Sequence, residues 1–292
     1  MISIIICSRD SETLRTVSQN VEQTIGVSHE VIAINNSQGE YGICQAYNVG
    51  AKRSKYDILC FMHEDLRFHT PDWGRKVAEV LSDSSIGVLG VAGGMYQLKA
   101  PVPWWFMGTA YMREQVLHSV PGEASTLHLV NPEKQSLADV AVVDGLWLCS
   151  RKEVWNQHPF DEKRFPGFHF YDMDYCTAIF LHNRICVTFD ILIEHFSKGT
   201  VNETWLLNVL EYQRKWRAVL PFGSVAVEKE QNAEFERLGL LDFIDKFIST
   251  SLPSGKVAGT FARLIALAPF DRDTIGMTKR FVLRRILNRS TV

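Results

Sequence analysis

Apolar and polar positions in the first third of the chain come in blocks. Ile2 to Cys7 is an unbroken apolar run rich in β-branched residues, and Ser8-Arg9-Asp10-Ser11 then supplies capping chemistry for a helix over roughly residues 12 to 24. The same succession returns twice. Glu30 to Ile34 is a strand, Asn35-Asn36-Ser37-Gln38-Gly39 a loop and residues 43 to 54 a helix. Asp57 to Met62 is the third strand, His63-Glu64-Asp65 its loop, and Pro71-Asp72-Trp73 the start of the next helix, with Pro in the first turn. Ile86 to Val91 is a fourth strand. Strands alternating with helices of about ten residues predict right-handed crossovers and an α/β fold with a mostly parallel central sheet flanked by helices.

The blocks lose definition from Gly93 to about Asp139. Here Pro101-Val102-Pro103-Trp104-Trp105-Phe106 and polar stretches predict a long loop or hairpin lying over one face. Such loops in compact domains are often functional. Strand character returns from Val140 to Ser150 across Asp144-Gly145, Arg151 to Gln157 is a short helix, Tyr171 to His182 another, and Ile185 to Phe196 supplies closing strands. Glu203 to Leu220 carries apolar residues at helical spacing and stops at Pro221. The expected organisation is one α/β domain over residues 1–222 and a helical C-terminal extension over 223–292.

Composition narrows the classes of function. The 292 residues, 46% hydrophobic and 22% charged, suffice for one substantial core. A net charge of −2 provides no general attraction to nucleic acid, and no nucleic-acid partner is expected. Six cysteines without a C-x-x-C pair, at least four of them inside apolar runs, read as buried free thiols. With a first strand that begins at Ile2, they point to a reducing cytoplasm. No apolar stretch is long enough to span a bilayer. The basic stretch Lys279-Arg280, Arg284-Arg285 and Arg289, interleaved with Phe281, Val282, Leu283, Ile286 and Leu287, fits peripheral contact with the inner face of an anionic membrane. A solvated helix packed on the catalytic domain is the competing reading.

His63-Glu64-Asp65 is the most informative short segment, because it places carboxylates where a parallel strand ends, the edge at which open α/β sheets bind ligands. A hard oxygen site shared by a protein carboxylate and a substrate diphosphate suits Mg²⁺ or Mn²⁺. Asp65 is the expected metal ligand. The bland explanation is that Glu64 and Asp65 merely cap the next helix.

Four segments in this order carry a resemblance: Ser3 to Ser8, Tyr47-Asn48-Val49-Gly50-Ala51, Phe61-Met62-His63-Glu64-Asp65, and Gly167-Phe168-His169-Phe170-Tyr171-Asp172-Met173-Asp174. Over about residues 1 to 220 the chain resembles family 2 glycosyltransferases, in particular the subgroup similar to the streptomycin-biosynthesis StrF domain. The resemblance implies a GT-A fold, a nucleotide-diphospho-sugar donor of UDP, GDP or dTDP type, inversion at the anomeric carbon, and a saccharide or lipid-linked acceptor in polysaccharide or glycoconjugate synthesis. Where the family has D-x-D, His63 stands in place of the first Asp, and Asp65 matches the second, metal-binding one. His63 and Glu64 are then expected beside the nucleotide. His195 falls where the family often carries a late His as a further metal or phosphate ligand, with Lys198 just beyond it as a donor contact.

An inverting transfer needs a carboxylate to take the acceptor's proton. Asp172 is the expected base and Asp174 its rival, although acids at a helix start are also normal capping residues. Tyr171 departs from the Glu of the family's E-D pair. Asn35 follows the second strand, where family members commonly use an Asp, and its amide would match the N–H and carbonyl of uracil, thymine or guanine. Ser8 and Arg9 end the first strand and are candidate nucleotide contacts. Asp144, Gly145 and Trp147 fall in the region that lines the sugar pocket in the resembling subgroup, and one of Trp104, Trp105 and Trp147 is expected to stack on a sugar ring. The alternative function is a non-catalytic nucleotide-sugar-binding protein on the same fold. His63 and Tyr171 are the departures that support it.

Overall fold

The structure, a computed structural model, describes residues 1–120, 122–197, 199 and 201–284. Strands β1 (Ile2–Ser8), β2 (His29–Asn35) and β3 (Ile58–Met62) pair in parallel, with helices α1 (Ser11–Thr24) and α2 (Ile43–Arg53) as their crossovers. Asp10 starts α1, its Oδ1 accepting the Thr13 N–H at 2.7 Å. The chain continues through β4 (Leu66–Phe68), α3 (Trp73–Val80), β5 (Ile86–Gly90), β6 (Ala92–Gly94) and β7 (Tyr96–Gln97) to the hairpin β8 (Met112–His118) and β9 (Thr126–Val130). Next come β10 (Leu137–Val140), β11 (Val142–Val143), β12 (Trp147–Arg151), α4 (Lys152–Gln157), α5 (Tyr171–Phe180), β13 (Arg184–Thr188) and β14 (Ile193–His195). The last described elements are α6 (Glu203–Trp216), β15 (Phe222–Gly223), α7 (Lys229–Ile248), α8 (Ala258–Leu267) and α9 (Arg272–Val282).

The central sheet has the order β10-β13-β5-β12-β3-β1-β2. Strands β2, β1, β3, β5 and β13 point one way, and only β12 and β10 oppose them. The sheet is thus mostly parallel, with antiparallel β12 wedged beside β3. Strands β1 and β3 are buried almost throughout, which explains why they read as unbroken apolar runs rather than alternating ones.

A second sheet, β11-β6-β8-β14-β4 with β9 also paired to β8, stands where the sequence pattern predicts a loop or hairpin. The hairpin is real, yet it is part of a larger sheet assembled from distant pieces. Several of those strands are two or three residues long, too short for a period of two to register. Both sheets share one apolar core, in which Trp73 stacks on Phe68 with ring centroids 4.3 Å apart.

The C-terminal helices are built into that core through Leu240, Phe243, Ile244 and Phe247 of α7. Lys99 is the fastening point. Its N–H donates to Glu236 of α7 (2.5 Å), and its carbonyl accepts from Gln213 of α6 (2.6 Å) and Arg263 of α8 (3.0 Å). Tyr96 and Tyr111 add hydroxyl bonds to Asn232 and Gln231, so the segment carrying Trp104 and Trp105 is held from behind by α7. In α9, Phe281 packs on Phe261 (4.8 Å between centroids) and Arg280 pairs with Asp245. Arg285, Ile286, Leu287 and Arg289 lie outside the described residues. Among the described residues no helix is long and apolar enough to cross a membrane.

Candidate active site

The carboxyl ends of β1 and β3, the start of α5 and one face of the second sheet enclose a cavity of about 1460 Å³. Two of its walls come from the expected strand ends. Glu64 braces them together, its carboxylate accepting the backbone N–H groups of Arg9 (3.0 Å) and Asp10 (3.4 Å). Glu64 therefore ties the β1 loop to the β3 loop, and Arg9 reaches the cavity beside it.

Asp65 meets two imidazoles. His195, delivered by β14 opposite β4, has Nε2 3.6 Å from Asp65 Oδ2, and His63 has Nδ1 3.9 Å from Asp65 Oδ1. The three ligand atoms all lie within 4.8 Å of one another. Burial holds both imidazoles below the usual histidine value, against the pull of the Asp65 charge. That bias favours the neutral ring, the form that ligates metal.

The tautomer of His63 follows from its neighbours. Tyr171 OH lies 2.8 Å from the Gly145 carbonyl, which can only accept, and 2.9 Å from His63 Nε2. The hydroxyl's single proton goes to the carbonyl, so His63 Nε2 carries a hydrogen and donates to the Tyr171 oxygen. His63 Nδ1 is left with its lone pair toward Asp65. The two departures from the expected pattern, His63 and Tyr171, are thus hydrogen-bonding partners, and the pair turns a nitrogen lone pair toward Asp65.

Asp172 sits one residue further along α5, and its position depends on Gly145. The Gly145 N–H donates to Asp172 Oδ2 (2.9 Å), and the Met173 N–H donates to Oδ1 (2.8 Å). A Cβ on Gly145 would stand 2.2 Å from the Tyr171 hydroxyl, so only glycine lets the loop pass between the tyrosine and the acid. Burial and then the negative charge of Asp144 push Asp172 up to about 7, despite those two N–H groups. A carboxylate of this kind, open to the cavity, is suited to take a proton near neutral pH. Asp144 also lines the cavity and orients its wall, its Oδ2 accepting the indole N–H of Trp104 at 3.0 Å.

Other candidates are placed elsewhere. Asp174 is buried behind the cavity, where Lys215 Nζ and Trp216 Nε1 both reach it at 2.8 Å, so its carboxylate is occupied in a structural ion pair. Trp147 belongs to the core, its ring edge-on to Trp73 (6.1 Å), because β12 is covered on that face. Trp104 and Trp105 reach the cavity, as does Trp205 of α6. Asn35 points away from the cavity and caps its own turn, its Oδ1 accepting the Ser37 N–H at 3.0 Å. Ser8 is buried with its hydroxyl near the Asp10 carbonyl, 3.4 Å away, and does not line the cavity. Lys198 lies outside the described residues.

The pattern of residues left other cavity groups unnoticed. Asn36, not Asn35, is the inward asparagine, and its amide closes the following loop by exchanging bonds with the Tyr41 N–H (2.8 Å) and carbonyl (2.9 Å). Adjacent asparagines give no period to choose between them. Glu114, His118 and His128 line the cavity from the β8–β9 hairpin. The E-x-x-x-H spacing on a strand was the signal available, had the strand been recognised.

Residues 3–215 match the family described as "Glycosyltransferase like family". No curated protein matches the chain. Among solved structures, GalNAc-T7 with UDP, GalNAc and Mn²⁺ aligns with a TM-score of 0.51 at 11% identity, covering 100% of this chain and 57% of that one. TarS of S. aureus aligns with a TM-score of 0.53 at 10% identity, covering 97% of this chain and 53% of that one. The mannosyltransferase PcManGT from Pyrobaculum calidifontis, in complex with GDP-Man and Mn²⁺, gives a TM-score of 0.49 at 9% identity, over 99% of this chain and 87% of that one. The chain thus spans little more than half the length of GalNAc-T7 and TarS. The likeness to those two establishes the GT-A fold that the motif resemblance implies.

Proposed function

Because the chain belongs to the glycosyltransferase-like family, we propose that it moves a sugar from a nucleotide-diphosphate donor to a hydroxyl acceptor, with inversion and with the help of a divalent cation. The observation that carries this reading is the convergence, in one cavity, of the His63–Asp65–His195 cluster and the raised carboxylate of Asp172. These three side chains would hold the cation. When bound, it would neutralise charge on the departing diphosphate. Two imidazoles and one carboxylate suit Mn²⁺ better than Mg²⁺, which prefers oxygen donors. A donor of UDP type fits this proposal, since GalNAc-T7 holds UDP with Mn²⁺ on the same fold.

The chain's own residues do the rest. Asp172 takes the proton from the acceptor hydroxyl, its carboxylate lining the cavity while backbone N–H groups orient it. Trp104, fixed by Asp144, and Trp105 offer aromatic faces to a sugar ring of a saccharide or lipid-linked acceptor or of the donor. The case for a non-catalytic binder drew on His63 and Tyr171, and their mutual hydrogen bond weakens it.

The test is a thermal-shift and turnover panel of UDP-, GDP- and dTDP-sugars with and without Mn²⁺. A donor that binds the folded state raises its melting temperature. We expect stabilisation by one donor class that needs Mn²⁺ and disappears in Asp65→Asn, together with release of nucleoside diphosphate. Equal stabilisation without any cation, or none by any donor, would overturn the proposal.

A further inference from the structure

The wall that the second sheet lends to the cavity carries another convergence of ligand atoms. Glu114 and His118 lie four positions apart in β8, so with Val116 between them they share one face of the strand. Val116 pairs with His128 of β9 across the antiparallel ladder, which brings that imidazole to the same side. One oxygen and two nitrogens then stand within 4.8 Å of one another. Glu114 Oε1 is 3.3 Å from His118 Nε2 and 3.8 Å from His128 Nδ1. Charge-assisted hydrogen bonds close to about 2.7–2.9 Å. Two ligands each about 2.1 Å from one tetrahedral ion stand about 3.4 Å apart. Glu114 is buried all the same, at 6% exposure, and a buried carboxylate requires positive charge close by.

We infer that Glu114, His118 and His128 form a second divalent-cation site of the zinc class, distinct from the His63–Asp65–His195 cluster. Three protein ligands with a fourth position open are a common zinc arrangement. All three side chains line the cavity, so the open position takes an oxygen ligand from that space. The strand register sets the two clusters side by side. His118 pairs with His195 of β14, and their rings are 5.9 Å apart. They share no ligand.

This inference does not rest on the transfer reaction, and its test counts metal rather than product. The full chain is dialysed against Zn²⁺ and the bound metal measured by atomic emission, for wild type, Asp65→Asn, His128→Ala and the milder Glu114→Gln. His128 is exposed, and melting of the metal-free variants checks that each still folds. Two equivalents in wild type, falling to one in each single variant and to none in Asp65→Asn/His128→Ala, is the expected result. A single equivalent in wild type that His128→Ala and Glu114→Gln retain would overturn the site, as would two equivalents that both variants leave intact. Loss confined to Asp65→Asn would indict the second cluster while leaving the first in place.

Discussion

The two faces of the first turn of α5 carry the same side chain in opposite circumstances. Asp172 and Asp174 are two positions apart, which on a helix turns them by about 200° to opposite sides. Burial raises both carboxyls above the ordinary value. On the cavity face, Asp172 meets two backbone N–H groups and the like charge of Asp144. On the inner face, Asp174 meets Lys215 and Trp216, which hold α6 against α5 and keep its carboxylate away from the cavity. Desolvation alone does not make a base. What distinguishes the two is whether the carboxylate faces the cavity.

The largest expected effect tests that distinction directly. Asp172→Asn should lower turnover by about 10²–10⁴-fold while donor binding and folding persist, as measured by product formation and thermal shift. If Asp174→Asn gave the same loss with stability unchanged, the comparison would break. Instead Asp174→Asn should cost roughly 2 kcal/mol of stability in urea denaturation, because it removes a charged hydrogen-bond partner from Lys215, which keeps Asp161.

Tyr171→Phe probes the link between the base and the cation cluster. It removes the acceptor that keeps the hydrogen on His63 Nε2, and we expect about 10–100-fold weaker Mn²⁺ binding by calorimetry, with little change in fold. Unchanged affinity would show that His63 needs no orientation by Tyr171.

The smallest effect, and the sharpest, is in pH dependence. With its folded value raised to about 7, Asp172 holds a proton in the native state that the unfolded chain releases near the ordinary carboxylate value. Between those two values the native state binds more protons, so stability falls as pH rises, by at most about 1.4 kcal/mol per unit. Activity should run the opposite way, rising as the base ionises. Denaturation of the metal-free protein between pH 4 and about 8 should show this component, as the difference in slope between wild type and Asp172→Asn. A slope identical in the two proteins would show that Asp172 does not hold that proton.

Much of this arrangement could be read from residues whose surroundings are local. The apolar runs of β1 and β3 are legible because both faces of each strand are covered, and Asp65 and Asp172 because each follows or opens a well-marked element. What escaped was set by contacts between distant segments. Trp147 and Trp104 are equal in sequence, yet antiparallel β12 turns one into the core while the Asp144 bond holds the other at the cavity. Asn35 and Asn36 differ by one position, and the strand's end decides which faces inward. His63 and Tyr171 each looked like a defect because their pairing spans more than a hundred residues.

Lys99 gives the molecule a practical vulnerability. Three helices, α6, α7 and α8, grip one residue's backbone or its carbonyl, just upstream of the paired tryptophans. A protease cut or engineered stop before Lys229 would spare His63, Asp65, Asp172 and His195, yet unbolt the segment carrying Trp104 and Trp105 from α7 and α8. Such a fragment would also strip Leu240, Phe243, Ile244 and Phe247 from the shared core, so that on the proposed reading the aromatic face offered to a sugar would be the first part of the site to loosen.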